Sequence, residues 1–136
     1  MPLPESIKQG EDKRFLVTIA ENGTPINVGN ATTLPTICDS IQCIIKGGQS
    51  AGSTEYGTLG YLTNDALGEI QPHATDTDKV YLKLREGLTK DVPANTSLFA
   101  IFLIKFTDPE YSPDGQDKEV DPIHIANIKT GHAKAI

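Results

Sequence analysis

The stretch Ser97 to Phe106, SLFAIFLIKF, is the longest apolar run in the chain and decides the class of fold. A continuous apolar run of this length is typical of a central β-strand. One face of the strand would carry Leu98, Ala100, Phe102, Ile104 and Phe106, and the other would carry Phe99, Ile101 and Leu103. Both faces are apolar, so the second face needs a cover. The sequence leaves open whether a neighbouring subunit or the chain itself supplies that cover.

Shorter runs on either side of this strand have the period-2 alternation of half-buried strands. These runs are RFLVTIA (Arg14 to Ala20), ICDSIQCIIK (Ile37 to Lys46) and KVYLKLR (Lys79 to Arg85). Asn22-Gly23 follows the first run and is a tight-turn signal, because both residues tolerate positive φ. No long stretch has helical periodicity. The sequence therefore predicts an all-β fold, an antiparallel β-sandwich of about seven or eight strands.

Two segments are expected to lie outside the regular strands. Residues 1–12 contain two prolines and early acidic residues, which predicts an N-terminal arm before a single β-sandwich domain over residues 13–136. Gly47 to Gly57, GGQSAGSTEYG, has the composition of a flexible loop. We expect this loop and Met1 to Gly10 to become ordered on assembly.

Composition and charge exclude several classes of partner. The 136 residues carry 12 Lys and Arg against 18 Asp and Glu, a formal net charge of −6. Nucleic acid is a poor candidate partner, because binding its phosphates needs a concentrated positive surface. No apolar run approaches the roughly 18 residues that cross a bilayer, so no membrane partner is expected. The first residues lack the apolar core of a secretory signal, which favours retention in the cytosol or export by another route.

Motifs that carry chemistry are missing from the sequence. The three histidines lack zinc-ligand spacing, and the acidic residues between Asp108 and Asp121 lack the pattern of a calcium-binding loop. There is no Gly-x-Ser-x-Gly elbow and no phosphate-binding loop. Cys38 and Cys43 are expected to point to opposite faces of one strand and to remain unpaired. We therefore predict no catalytic residue, no metal site and no cofactor, and a protein that is not an enzyme.

The order of short segments along the chain carries a family resemblance. The segments are IKQGEDKRFLVTI (Ile7 to Ile19), ENGTPINV (Glu21 to Val28), IQCIIKGG (Ile41 to Gly48) and VPANTSLFAIFLIKFTD (Val92 to Asp108), followed by a closing strand. In this order they resemble the immunoglobulin-like N-terminal domain of phage baseplate upper proteins. Gly10-Glu11-Asp12 and Asn22 to Ile26 match the opening motifs of that family. Gln71-Pro72-His73 departs from it, because it interrupts a strand that the family keeps.

The resemblance implies an immunoglobulin-like sandwich and a bacteriophage virion structural protein. It would be a component of the tail or baseplate, the collar or the capsid decoration, assembled in the host cytoplasm. Its partners would be other virion proteins and its own copies, in a homo-oligomer or a lattice. The candidate contact residues are Phe99, Ile101, Leu103, Tyr56 and Tyr111. The contact would bury the second apolar face of the central strand, or an exposed edge strand would pair with another chain. The alternative is a carbohydrate- or host-surface-binding module that uses Tyr56 and Tyr111.

Overall fold

The computed structural model describes residues 3–61, 67–107 and 116–131, and their regular structure is mostly β. In these residues eleven strands and two one-turn helices follow one another. They are β1 (Glu5–Lys8), β2 (Lys13–Thr18), β3 (Ala20–Glu21), β4 (Thr24–Pro25), α1 (Leu34–Ile37), β5 (Cys38–Lys46), β6 (Glu55–Gly60), β7 (Gly68–Pro72), β8 (Lys79–Leu84), α2 (Glu86–Thr89), β9 (Ser97–Phe106), β10 (Gln116–Glu119) and β11 (Ile123–Lys129). The all-β class is confirmed. The eleven strands exceed the seven or eight predicted, because β1 and β10 were not expected and the first run is divided into β2 and β3.

The strands form two sheets and a small hairpin. The larger sheet has the order β1-β11-β9-β5-β6, and β10 also pairs with β9. The smaller sheet has the order β2-β8-β7, and β3 pairs with β4. Pairing between these strands is antiparallel except for β1 with β11, which run parallel. A parallel bridge between Tyr61 and Ile70 joins the ends of the two sheets.

One hydrophobic core contains side chains from both sheets. The larger sheet contributes Ile41, Cys43, Ile45, Leu59, Leu98, Ala100, Phe102 and Ile104, and the smaller sheet contributes Phe15, Val17, Ile70, Val80, Leu82 and Leu84. These positions alternate along each strand, as the sequence predicts for the inner faces of β8 and β9. Burying each large apolar side chain contributes about 1.5–3 kcal/mol, so this alternation is the main source of stability.

A β-bulge at the start of β5 changes which side chains face the core. The register against β9 shifts between Cys38 and Ser40, and the extra residue reverses the alternation there. Asp39, predicted on the inner face, is exposed, and its Oδ1 accepts a hydrogen bond from Thr107 Oγ1 at 2.7 Å. Cys38 and Cys43 are both free and buried in the core. The prediction that the two cysteines point to opposite faces was therefore wrong.

The N-terminal residues fold with the domain. β1 pairs with β11 over residues 5–8, and Ile7 is fully buried. Gln9 Nε2 donates to the Val92 carbonyl oxygen at 2.8 Å, and Thr89 Oγ1 donates to the Glu11 carbonyl oxygen at 2.9 Å. Residues 5–12 are thus held in place by the isolated chain, although their composition suggested an arm that ends at residue 12.

The Gly- and Ser-rich segment after β5 forms a hydrogen-bonded turn. The Gly47 N–H donates to the Thr54 carbonyl oxygen, and Lys46 Nζ donates to the Ala51 carbonyl oxygen, both at 2.9 Å. The last residues of the predicted loop, 55–57, belong to β6. The turn is therefore closed by bonds within the chain, whereas the sequence predicted a loop that becomes ordered on assembly.

Candidate functional site

The outer face of the larger sheet is the surface on which the sequence places the assembly contacts. It is formed by β5, β9, β10 and β11, and its side chains stand in rows across the strands. Three rows cross this face: Lys46, Phe99 and His124; Ile44 and Ile101; and Gln42, Leu103 and Glu119. Since β9 lies at the centre of the sheet, its outward side chains have neighbours on both sides.

Two of the three apolar residues on this face of β9 are covered by the chain itself. Phe99 is 9% exposed and Ile101 is 7% exposed. The His124 imidazole stacks on the Phe99 ring with the ring centroids 4.9 Å apart. Ile101 lines a cleft of about 230 Å³ whose walls come from residues 49–51 and 119–122. Of the two covers that the sequence left open, a neighbouring subunit or the chain itself, Phe99 and Ile101 therefore have the second.

A short polar network holds His124 over Phe99. His124 Nε2 lies 2.9 Å from Asn127 Oδ1, and Ser97 Oγ donates to the same oxygen at 3.1 Å. Because the amide oxygen only accepts, the imidazole donates through Nε2. His124 is thus part of the cover of the sheet. No local pattern predicts this role, because only the pairing of β11 with β9 places the ring opposite Phe99.

Leu103 stays half-buried and lines an open groove of about 540 Å³. The lining residues are Ser40, Gln42, Leu103, Ile104, Lys105, Lys118 and Glu119. A small apolar centre is therefore surrounded by a hydroxyl, an amide and side chains of both charges. This combination of an apolar centre and a polar rim is the usual anatomy of a protein interface. The groove is the accessible part of the contact surface that the sequence predicts.

An ion pair fixes one wall of the groove. Lys118 Nζ lies 2.8 Å from Glu21 Oε1, and this hydrogen bond lowers the pKa of the Glu21 carboxyl below its ordinary value. Glu21 belongs to β3, so the pair ties the β3-β4 hairpin to β10. The position of Lys118 therefore depends on a hairpin that directly follows β2 in sequence.

The two tyrosines predicted as loop contacts have different outcomes. Tyr56 lies in β6, is half-buried and packs against the core. Its ring also lies over Gly47, where an added Cβ would come within 3.0 Å of Tyr56 Cε2. Tyr111 lies outside the described residues. The tyrosine pair proposed for carbohydrate contact stays a prediction.

The outer face of the smaller sheet carries an aromatic and cationic cluster that the sequence analysis did not single out. The Arg14 guanidinium carbon lies 3.8 Å from the centroid of the Tyr81 ring, and the His73 ring stacks on Tyr81 at 5.7 Å. The backbone N–H groups of Thr75 and Asp76 donate to His73 Nδ1 at 3.1 and 2.9 Å. Alternation along β8 predicts that Tyr81 points outward. Its ring partners come from β2 and the turn after β7, which no local pattern brings together.

The described ranges hold neither an activated cysteine thiol nor a group of metal ligands. Burial, with a smaller contribution from the Asp39 carboxylate, raises the pKa of Cys38 to about 11, and burial also raises the pKa of Cys43. Both therefore stay protonated thiols at neutral pH, which are poor nucleophiles. Within residues 3–61, 67–107 and 116–131, no group of three or more His, Cys, Asp or Glu is placed to hold a metal ion. No helix in that part of the chain is long and apolar enough to cross a membrane.

Comparison of the chain with protein-family models, with curated proteins and with solved structures found no match in any of the three. The family resemblance of the sequence motifs therefore stays a prediction. The grounds for a function are the order of the strands in the two sheets and the groove at Leu103.

Proposed function

We propose that this chain is a bacteriophage virion structural protein with an immunoglobulin-like sandwich fold. It acts without turnover, through contacts with other virion proteins and with its own copies. Its place is in the tail or baseplate, the collar or the capsid decoration, and it is assembled in the host cytoplasm. The order of the short sequence motifs first suggests this class, and two structural features support it.

The order of the strands supports the immunoglobulin-like part of the proposal. Immunoglobulin domains place strands B, E and D in one sheet and strands G, F and C in the other, with C′ beside C in the variable type. The smaller sheet, in the order β2-β8-β7, matches the order B-E-D. In the larger sheet, the strands β11-β9-β5-β6 match the order G-F-C-C′. β1 then extends the second sheet beside G. No helical crossover is needed to connect these strands.

The groove at Leu103 is the observation that carries the contact function. Leu103 is an apolar residue on the central strand, flanked by the exposed side chains of Gln42 and Glu119. β9 is paired on both sides along this stretch, so the groove has a rigid floor. A rigid surface loses little conformational entropy on binding, which favours a protein contact of modest area.

The chemistry of the groove favours a partner surface that combines an apolar side chain with polar groups. The apolar side chain would pack on Leu103, while hydrogen-bonding groups would meet Gln42 and Ser40 at the rim. Charged residues of the partner would meet Glu119. Such a mixture fits another folded protein better than a purely apolar ligand.

Presence in purified particles tests the proposal directly. We expect the wild-type protein in phage particles purified from a lysate. We expect Leu103→Asp to reduce its incorporation by about ten-fold or more, because the contact would lose its apolar centre and would have to desolvate a carboxylate. Incorporation is measured by quantitative mass spectrometry of the particles.

Thr58→Asp is the matched control. Thr58 is exposed on β6, in register with Ile44 on the same face, and does not line the groove. It should be incorporated like the wild type, and both variants should keep the wild-type circular dichroism spectrum. Absence of the wild-type protein from particles would refute the virion function, and normal incorporation of Leu103→Asp would refute the role of the groove.

A further inference from the structure

The smaller sheet has an open edge at β2. β2 pairs with β8 on one side, and among the described residues the sheet order β2-β8-β7 leaves its other side without a strand. Residues 13–18 form a regular strand with no bulge, no glycine and no proline. Open edges of this kind are templates for pairing with another chain.

The register identifies the backbone groups that point to the open edge. The Ile19 N–H donates to the Asp78 carbonyl oxygen at 2.7 Å, in continuation of the β2–β8 register. Backbone groups alternate sides along a strand, so the odd-numbered residues of β2 also bond to β8. The N–H and C=O groups of Arg14, Leu16 and Thr18 therefore point away from the sheet. In the parts of the chain that the structure describes, no hydrogen bond reaches these six groups.

The pairing of β8 with β7 gives the same alternation independently. The Arg85 N–H donates to the Leu67 carbonyl oxygen at 3.0 Å, in line with the β7–β8 register. Odd-numbered residues of β8 therefore face β7, and even-numbered residues face β2. The even-numbered residues of β8 stand in register with the odd-numbered residues of β2, which agrees with the hydrogen bond from the Ile19 N–H to the Asp78 carbonyl oxygen.

The other edges of the two sheets are short or interrupted. On β7, Pro72 has no N–H to donate, and Ile70 already forms a bridge with Tyr61. β6 has a register shift beside Lys46, which breaks its regularity. β1 and β10 have only four residues each. β2 is therefore the edge best suited to strand pairing among the described strands.

We infer that β2 pairs with β2 of a second copy of this chain, antiparallel and about a two-fold axis at Leu16. In this register Leu16 stands opposite Leu16, and Arg14 of each copy stands opposite Thr18 of the other. These are three pairs that each exchange two hydrogen bonds, so every open group of the edge is used. A two-fold axis at residue 14, 15, 17 or 18 would leave some of these groups unpaired. The two three-stranded sheets become one continuous sheet.

The charges of β2 allow this register. The two Arg14 residues are separated by about 14 Å along the paired strands, which exceeds the Debye length at physiological salt. Lys13 points inward, which commonly protects an edge strand, but its Nζ lies 3.7 Å from the buried Glu5 carboxylate. Because Glu5 compensates this charge within the chain, Lys13 does not oppose the pairing.

The paired assembly is closed. Both ends of the combined sheet are β7 strands, and Pro72 together with the bridge at Ile70 interrupts their outer edges. Two-fold pairing therefore predicts a dimer and no longer polymer. This inference specifies one of the contacts between copies that the proposed function includes, but it concerns the purified protein alone and stands whether or not the protein is found in virions.

Disulfide trapping at the two-fold axis tests the inference. Leu16→Cys would place two thiols on opposing residues of a hydrogen-bonded pair, with Cα atoms about 5.5 Å apart, within the range for a disulfide. Gln71→Cys is the matched control, because Leu16 and Gln71 both stand in register with Tyr81 on opposite edges of the same sheet. The native thiols Cys38 and Cys43 are buried.

Under mild oxidation we expect the Leu16→Cys protein to form about ten-fold more covalent dimer than the Gln71→Cys protein, because pairing raises the effective concentration of the thiols. The readout is the intact mass without reductant. Equal dimer formation by the two variants would overturn the inference.

Sedimentation of the unmodified protein is the second measurement and requires no variant to fold. We expect a monomer–dimer equilibrium that depends on concentration, and we expect Leu16→Lys to weaken it about ten-fold or more, since two like charges would face each other. Gln71→Lys should leave the equilibrium unchanged. A strict monomer at all concentrations, or growth beyond the dimer, would overturn the closed two-fold pairing.

Discussion

The chain itself covers most of the apolar outer face of the larger sheet, but its described residues leave the edge of the smaller sheet at β2 open. On the larger sheet, Phe99 and Ile101 are apolar and point outward, yet the chain covers them with His124 and the turn after β5. On the smaller sheet, the outward residues of β2 leave their backbone groups without partners in the described residues. The chain thus covers the apolar side chains of Phe99 and Ile101, while the outward backbone groups of β2 stay open to a partner.

The difference shows that two kinds of surface need two kinds of cover. An apolar side chain is shielded by any group of suitable size, so one imidazole and a short turn suffice for β9. Backbone N–H and C=O groups need directional partners at fixed spacing, which only water or another strand provides. The groove at Leu103 combines both situations, because its apolar side chain is only half covered by the chain and remains open to a partner.

The largest expected effect on the free energy of unfolding comes from truncating a phenylalanine on the inner face of β9, and the same truncation on its outer face gives the comparison. Phe102→Ala should lower the free energy of unfolding by about 3–5 kcal/mol, because it opens a cavity in the core. Phe99→Ala should lower the free energy of unfolding by about half as much, since the His124 ring that covers Phe99 can move into the vacated space. Both values come from denaturant unfolding. Equal losses would mean that the outer face is packed as tightly as the core.

A medium effect should follow from removal of the cover over Ile101. Deleting residues 49–52 should lower the free energy of unfolding by about 1 kcal/mol, because Ile101 regains contact with water. The deletion should also increase the fluorescence of a dye that binds apolar surface. Gly52→Ala is the control, since an added Cβ there meets no atom within 4 Å. No change in dye binding would show that the turn does not shield Ile101.

The smallest effect concerns the Glu21–Lys118 ion pair, which connects the hairpin after β2 to the larger sheet. The pKa of Glu21 is lowered in the folded state from an ordinary value of 4.5. Its contribution to stability is therefore complete above about pH 4.5 and is lost as the pH falls through the folded value. Glu21→Gln should lose less thermal stability than the wild type when the pH is lowered from 6 to 3. Identical losses would show that the pair adds nothing to stability.

Several elements could be predicted because their signals are local. β9 spans Ser97–Phe106, as the sequence predicts, and the alternation of β8 is correct. Asn22 and Gly23 have φ angles of 53° and 79°, which confirms the tight turn between β3 and β4. In each case the relevant information lies within a few neighbouring residues.

Other features could not be predicted, because they depend on residues far apart in the chain. The bulge at Cys38 and Ser40 is defined by pairing with β9. The cover of Phe99 comes from His124, whose position depends on the register of β11. β1 has little local strand signal, but its pairing with β11 holds it in the sheet.

The sequence by itself determined the all-β class, the central strand and the inward faces of the main strands, because alternation along a strand directly sets which side chains meet the core. Only the tertiary structure decided which apolar residues outside the core stay accessible. Phe99 and Ile101 are covered, while Leu103 lines a groove, although all three share one face of one strand. The tertiary structure also decided that β2 is an edge. The reason is that exposure depends on neighbours brought together by pairing across the sheet, and no local pattern records those neighbours.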